Sequence, residues 1–379
     1  MKVKIANRLI GEGEPCFIIA EAGVNHNGDI NLAKKLIHVA KDAGADAVKF
    51  QSFKAENVVT KKAPKAKYQE QTTGFAESQY EMIKKLELSA GSFEELVLHT
   101  RKDGIIFLST PFDNESVDLL DGLGVRAFKI ASGEITNFPL IRYIAKKGKP
   151  VILSTGMSTL GEINEALQVI QSEGIKDIVL LHCVTAYPAK VEDVNLNAME
   201  TLRCEFKLPV GLSDHTIGIT MPIAAVALSA CVIEKHFTLD KNLPGPDHRA
   251  SLEPEELKHM VQAIRDVEKA LGGGIKRPTK EERENKKAAR RSIVARVDIP
   301  EGAIIAGEML AIKRPGIGIE PKHVERIVGA IAKANIRKDD RITWSKIEVK
   351  SRITLLEGGM KLDRVKKRVK LIKDAKGEK

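Results

Sequence analysis

The sequence predicts a (β/α)8 barrel followed by a small, mostly β domain. Three observations carry this reading. Short β-branched apolar runs alternate with stretches of helical period through the first 240 residues. There are eight such runs, the number a closed barrel needs. From Arg291 the texture changes to very short strand-like pieces with repeated Gly and Pro and no long helix.

The eight runs are CFIIAEAG (16–23), DAVKFQ (46–51), IIFLSTP (105–111), AFKIASG (127–133), PVILSTG (150–156), IVLLHCV (178–184), PVGLSDH (209–215) and VIEKHFT (232–238). Their near-continuous apolar character marks a parallel sheet covered on both faces. Helix-like segments such as INLAKKLIHVAKDAG (30–44), LGEINEALQVIQSEG (160–174) and TMPIAAVALSAC (220–231) lie between them. No GxGxxG follows the first run, which counts against a dinucleotide fold. One connection, 52–104, is long. It holds two helix-like pieces and a polar stretch, KAPKAKYQEQTTGFAESQYEM (62–82), read as a loop over the barrel mouth. An amphipathic helix ending in three glycines closes the barrel at 274. The expected organisation is a barrel over 1–274, a charged linker over 275–290, a small domain over 291–350 and a basic tail over 351–379. In the tail, Leu362, Val365, Val369 and Ile372 fall at helical spacing.

Composition narrows the function. At 43% hydrophobic and 30% charged, the chain has ample apolar material for a core. Its net charge of +10 invites a nucleic-acid reading, but the surplus is local. Residues 276–291 hold 8 basic and 3 acidic side chains, and residues 351–379 hold 10 and 4, leaving the rest near neutral. No nucleic-acid partner is expected. No apolar run approaches the ~20 residues of a membrane span. The N-terminus has no apolar signal core. Cys16, Cys183, Cys204 and Cys231 form neither a CxxC pair nor a disulfide framework. A cytoplasmic protein without a membrane partner is expected.

Catalytic side chains of such barrels come from the C-terminal ends of the strands, and here those ends are loaded with polar groups. The first run ends in Glu21, with Asn25 and His26 beyond it; the second carries Lys49 and Gln51, the third Ser109 and Thr110. The fourth has Lys129, Ser132 and Glu134, the fifth Ser154 and Thr155, the sixth His182, Thr185 and Tyr187. The seventh gives Ser213, Asp214 and His215, and the eighth Glu234, Lys235 and His236. Singly, each has a bland alternative: Ser154 or Ser213 as a helix N-cap, His182 as a satisfied core residue. Two arrangements stand out. His215 and His236 end neighbouring strands, next to Glu21 in the circle, and two imidazoles with a carboxylate or water suit a divalent metal such as Mn, Fe or Zn. Lys49 and Lys129, with Thr110, Ser132 and Ser154, make a site for a compact dianion. The competing reading pairs those lysines with Glu234 or Glu134.

The motifs IAEAGVNHNGD (19–29), ADAVKFQ (45–51), STPFD (109–113), FKIASGE (128–134), ILSTGMS (152–158), LHCVTAYP (181–188), GLSDHT (211–216), EKHFTLD (234–240) and GPDHRASL (245–252) resemble the sialic acid synthases. KRPGIGI (313–319) and IVGAIAKANIRKDDRI resemble that family's antifreeze-like SAF domain. The resemblance runs in order from about residue 3 to 349. It implies a TIM barrel joined to an SAF domain, and homodimers in which each SAF domain caps the partner's barrel. The implied reaction condenses phosphoenolpyruvate with the open-chain aldehyde of an N-acylated mannosamine-type sugar and water. A nonulosonic acid and phosphate result.

By that resemblance His215 and His236 match the ligands of a metal, usually Mn. Lys49, Thr110, Lys129, Ser132, Ser154 and Ser213 match phosphoenolpyruvate-binding positions, and Glu21 and Glu134 match carboxylates that handle protons. Gln51, Tyr187 and Asp247 match sugar contacts, and Arg314 matches the arginine that reaches across the dimer to the sugar's N-acyl group. One departure concerns Thr185, where some N-acetylneuraminate-making members have Thr-Asn in this turn. N-acetylneuraminate synthesis is the first expectation. The alternative is a legionaminic or pseudaminic acid synthase acting on a 2,4-diacetamido-trideoxyhexose. A more distant alternative is a Schiff-base aldolase using Lys49, Lys129 or Lys235; a non-enzymatic alternative makes the SAF domain a binding module.

Overall fold

Inside the barrel, apolar residues at alternate strand positions give way to charged and hydroxyl groups as the strands run towards the mouth, and the strand order puts these groups on one ring. The computed structural model describes residues 1–349; the tail stripe of Leu362, Val365, Val369 and Ile372 lies outside the described residues. The chain divides into two units, Met1–Gly274 and a second beginning at Ile275.

The first unit opens with an antiparallel hairpin that the sequence reading did not anticipate, β1 (Lys2–Ile5) and β2 (Arg8–Gly11). Eight parallel strands follow: β3 (Phe17–Gly23), β4 (Ala47–Ser52), β5 (Ile106–Pro111), β6 (Phe128–Ile130), β7 (Val151–Ser154), β8 (Ile178–Cys183), β9 (Val210–Asp214) and β10 (Val232–His236). Each runs beside its successor in sequence, and β10 pairs with β3, so the order is circular. At the seam, β5 and β6 lie side by side without a hydrogen-bonded ladder. The fold is the expected barrel, and all eight strands coincide with the eight apolar runs.

Side chains alternate across each strand, and the alternation sorts the core into two layers. Ile18, Val48, Phe128, Leu153, Leu180 and Ile233 face outward against the helices. Phe17, Ile19, Ala47, Leu108, Ala127, Ile152, Val179, Leu181 and Val232 face inward, and the hairpin residues Val3, Ile5 and Ile10 pack on them. Two residues further along the same inward rows come Glu21, Lys49, Thr110, Lys129, Ser154, Cys183 and Glu234. A one-residue slip would turn every one of them into the helix layer.

The wall helices are α1 (Ile30–Asp42), α2 (Ala55–Val58), α3 (Lys67–Thr73), α4 (Gln79–Lys84), α5 (Ala90–Asp103), α6 (Asn114–Gly122), α7 (Phe138–Ala145), α8 (Leu160–Ser172), α9 (Ala198–Phe206), α10 (Thr220–Ala227) and α11 (Pro254–Leu271). Asp29, Asp113 and Thr159 cap α1, α6 and α8 by accepting from backbone N–H groups one turn in. The polar stretch 62–82 is not simply a loop: it holds α3 and most of α4, because Ser78 and Glu81 form a capping box that starts α4. Among the described residues no helix is long and apolar enough to cross a membrane. The four cysteines are free.

In the second unit α12 (Lys280–Ala289) occupies the segment read as a charged linker, and none of its side chains is buried. Then come β11 (Ser292–Ala295), β12 (Leu310–Lys313), α13 (Val324–Ile327), β13 (Ile331–Ala332) and β14 (Ile347–Glu348). Its core is isoleucine-rich: Ile293, Ile299, Ile305, Ile327, Ile336, Ile342 and Ile347.

On the outward face, Lys235 of β10 and Asp214 of β9 are register partners and form a fully buried ion pair at 2.5 Å. Asp214 also accepts from the Thr216 N–H and hydroxyl, and Lys235 donates to the Thr216 carbonyl. Lys235→Met leaves the Asp214 charge buried and unpaired, so urea unfolding should show a loss of about 3–5 kcal/mol, most of it regained in Lys235→Met/Asp214→Leu. Equal stability of the single variant and the wild type would contradict this account.

Candidate active site

Four charged side chains occupy the inward positions nearest the mouth: Glu21, Lys49, Lys129 and Glu234, none more than 4% exposed. The Lys49 Nζ stands 2.8 Å from Glu21 Oε2, 3.6 Å from Glu234 Oε1 and 3.0 Å from Thr110 Oγ1, to which it donates. Lys129 Nζ lies 3.6 Å from that same Glu234 oxygen and donates to the Ile130 carbonyl. Ser213 donates to Glu234 Oε1 at 3.2 Å. Glu234 therefore bridges the two ammonium groups. The pairing reading of these lysines holds for Glu234 and not for Glu134, which sits on a turn at 132–134 and accepts from Asn137. Glu21 Oε2 and Glu234 Oε2 are buried without a hydrogen bond, the 2.8 Å approach of Lys49 to Glu21 being an ion pair off the hydrogen-bond direction.

The four charges do not respond to burial alike. Burial raises the Glu21 carboxyl to about 7, against the pull of Lys49. Burial would raise Glu234 too, but Lys129 and Lys49 outweigh it and hold it below the ordinary carboxylate value. Burial lowers Lys129, whereas Lys49, close to both carboxylates, is raised. A carboxyl that titrates near neutrality beside one that stays ionised is the arrangement that separates a proton-handling group from a purely electrostatic one.

The hydroxyls surround this quartet. Ser132 Oγ accepts from the Gly156 N–H at 2.9 Å, and a Cβ on Gly156 would meet that oxygen at 2.8 Å and Thr185 Oγ1 more closely still. Gly156 thus lets the loops after β6, β7 and β8 converge. Ser154 Oγ is buried with no partner. The helix-cap alternative fails for Ser154 and Ser213: Thr159 caps α8, α10 has no side-chain cap, and Ser213 binds Glu234. His182 is the satisfied histidine foreseen, bonded through Nε2 to the Val194 carbonyl.

His215 and His236 face each other with ring centroids 5.5 Å apart. His215 Nδ1 donates to the Val184 carbonyl at 2.8 Å, which leaves its Nε2 lone pair free. His236 Nδ1 is buried with no hydrogen-bond partner. Burial and the nearby His215 push His236 well below the ordinary imidazole value, so it is neutral. Burial opposes protonation of His215 as well, but the Cys183 thiol and the Val184 carbonyl outweigh it. An open imidazole nitrogen beside an orphaned one fits a borderline divalent cation. Among the described residues no third His, Cys, Asp or Glu joins the pair at ligand spacing. Glu21, the register neighbour of His236, is engaged by Lys49.

Sugar-contact candidates lie beside the imidazoles. The Tyr187 ring is 4.1 Å from His215 and 5.7 Å from His236. Asp247 is buried and raised to about 6 by burial, with His215 pulling the other way. Gln51 points at Glu21 across 3.4 Å. At Gly23, φ +53, a Cβ would sit 3.4 Å from both Glu21 Oε1 and His236 Cε1. Arg314 follows β12 in the second unit. Lys235 faces the helix layer and cannot serve a barrel interior, which removes it from the Schiff-base alternative.

Glu234, placed by the sequence at the end of the eighth run and read as a possible lysine partner, is inward by its position two before His236 on one strand. One residue of the site was not singled out from sequence. Tyr68 of α3 stacks on Tyr187 at 5.1 Å; nothing in the local sequence signals it. A cavity of about 900 Å³ opens at the opposite end near Cys16, Val210 and Cys231 and is not this site.

Residues 36–276 match the NeuB family model and residues 290–348 the SAF domain model. The chain is 58% identical to the N,N'-diacetyllegionaminic acid synthase of Campylobacter jejuni over 86% of its length and 98% of the relative's. It is 50% identical to the enzyme of the same name from Legionella pneumophila, covering 89% of this chain and 96% of the relative. The crystal structure of N-acetylneuraminic acid synthetase from Leptospira borgpetersenii superposes with a TM-score of 0.66 at 38% identity, covering 75% of this chain and 95% of that one.

The raised Glu21 has a consequence for stability. The native state keeps a proton that the unfolded chain has lost, so this group's contribution is complete below about 4.5 and disappears as the pH rises to about 7. Over that window it lowers stability by at most about 1.4 kcal/mol per pH unit. Glu21→Gln should abolish that component of the slope in denaturant unfolding between pH 5 and 7. Parallel wild-type and variant curves would contradict it.

Proposed function

The chain belongs to the NeuB family, and on that premise we propose that it condenses phosphoenolpyruvate with a 2,4-diacetamido-trideoxyhexose to give a legionaminic-type nonulosonic acid. It is an enzyme of the phosphoenolpyruvate-dependent, carbon–carbon bond-forming class. The observation that carries the choice of sugar is the pair of relatives, 58% and 50% identical across nearly their whole length, that bear the name of the diacetyllegionaminic acid synthase. Thr185 accords with it, since an asparagine amide found in some N-acetylneuraminate-making members is missing from this turn.

The chain's residues divide the work. Lys49 and Lys129 bind the phosphate and carboxylate of phosphoenolpyruvate, exchanging part of their pairing with Glu234 for the substrate's charges, and Thr110, Ser132, Ser154 and Ser213 donate to its oxygens. The unpartnered Ser154 hydroxyl is available for this without breaking a bond. Gln51, Tyr187 and Asp247 hold the sugar with its aldehyde towards the two imidazoles. His215 and His236 would hold a divalent metal such as Mn, which would supply Lewis acidity at the aldehyde oxygen. The enol carbon of phosphoenolpyruvate forms the new bond to the aldehyde carbon, water adds at the phosphate-bearing carbon, and phosphate leaves by C–O cleavage. Glu21, half-ionised near neutrality, takes the proton of the attacking water, and Glu134 delivers the proton that turns the aldehyde oxygen into the product hydroxyl. Glu234, kept ionised by its lysines, stabilises the cationic carbon that precedes attack by water.

Phosphate release from phosphoenolpyruvate with Mn measures the choice of sugar. The diacetamido sugar should exceed N-acetylmannosamine at least tenfold in kcat/KM, as expected when one buried polar contact is matched or left unmatched. A preference for N-acetylmannosamine would assign N-acetylneuraminate synthesis instead.

Arg314 is proposed to serve the barrel of a second copy in a domain-swapped homodimer. Mixing Arg314→Ala with Lys129→Ala, each weak alone, should then restore activity to about a quarter of wild type, because one of two sites in each heterodimer is intact. No recovery after subunit exchange would remove the swapped dimer.

A further inference from the structure

Outside the barrel mouth, α1 and α5 bring together a second cluster of metal-ligating groups. His99 and Asp103 stand four residues apart on α5, so both project from one face, and His38 meets them from α1. His38 Nδ1 is 2.9 Å and His99 Nε2 is 3.7 Å from the same oxygen, Asp103 Oδ2, and the two Nε2 atoms are 3.0 Å apart. One ligand atom from each residue falls within 4.8 Å of the others. Donors around a tetrahedral zinc ion, bound at about 2.0–2.1 Å, stand roughly 3.3 Å from one another. His38 can offer only one of its two nitrogens, and with one donor from each residue within 4.8 Å, small side-chain rotations would bring the three to that spacing.

Two further observations point to a cation. Asp103 Oδ2 is buried with no hydrogen bond, the His38 nitrogen approaching it off the N–H direction, so its lone pairs are unclaimed. The imidazoles face each other Nε2 to Nε2, an arrangement in which one proton is shared by two lone pairs and a metal ion can take its place. His38 is 55% exposed in its side chain, which leaves water access to the remaining coordination position.

We propose that His38, His99 and Asp103 bind a zinc-class divalent cation that staples α1 to α5 on the outer wall of the barrel. Two imidazoles and one carboxylate favour Zn, Ni, Co or Cu over the oxygen-seeking Mg and Ca. The neighbouring contacts between these helices are weaker in kind: the Lys34–Glu95 ion pair and the Lys41 donation to the Gly104 carbonyl are both exposed. The site stands apart from the imidazole pair inside the barrel, and the proposal does not rest on the reaction assigned above.

Zinc chloride added to the chelator-treated full chain tests it, with bound zinc counted after equilibrium dialysis and thermal midpoints read with and without the metal. His38→Gln/His99→Gln should hold one zinc fewer than wild type, lose the zinc-dependent rise in midpoint and keep its Mn-dependent turnover. Asp103→Asn should bind the same zinc at least tenfold more weakly. His215→Ala/His236→Ala should keep the zinc that the surface variant loses. A surface variant with the wild-type zinc count and midpoint shift would overturn the proposal, as would a wild-type chain whose bound zinc is all lost in His215→Ala/His236→Ala.

Discussion

Two carboxylates and two ammonium groups buried within a few ångströms of one another are the constraint on which the barrel mouth depends. No one of them is tolerable alone in an apolar interior. When Glu21 is ionised they sum to zero, and Glu234 makes this possible by standing between Lys49 and Lys129. Every strand that contributes must therefore be in register, because a lysine delivered without its carboxylate is a buried naked charge. The same requirement makes the site receptive. Lysines already desolvated and already close together would lose little more if an anion replaced part of their pairing, as the proposed function requires.

The outer ion pair repeats this logic on the other side of the sheet. Asp214 lies between Ser213 and His215, and Lys235 between Glu234 and His236. Locking Asp214 to Lys235 holds β9 against β10, so that four inward groups on two strands keep their relative height. Stability and site geometry share one device here, and alternation along a strand is what lets a pair facing the helices position a pair facing the mouth.

Much of this was legible in the sequence, for a definite reason. Parallel strands covered on both faces are continuous apolar runs, and a polar residue at their ends has no packing excuse. Glu21, Lys49, Lys129, His215 and His236 could thus be named without coordinates. What escaped depends on distant parts of the chain. The hairpin at residues 2–11 is too short to show a period of its own and is defined by what it packs against. Tyr68 reaches Tyr187 only because α3 folds back over the mouth. Lys235 looked like its neighbours in composition, and only the parity of its position sends it to the opposite face. The triad of His38, His99 and Asp103 is likewise invisible in one dimension, since β4 and most of the long second connection lie between α1 and α5.

The β1–β2 hairpin has a consequence for traffic. With Val3, Ile5 and Ile10 seated on Phe17, Ile19 and Val232, the barrel is a well with a sealed floor rather than a tube. Whatever binds in the barrel enters and leaves through one opening. Whichever reactant settles deepest has to enter first, so the order of arrival and departure is written into the shape of the vessel before any chemistry begins.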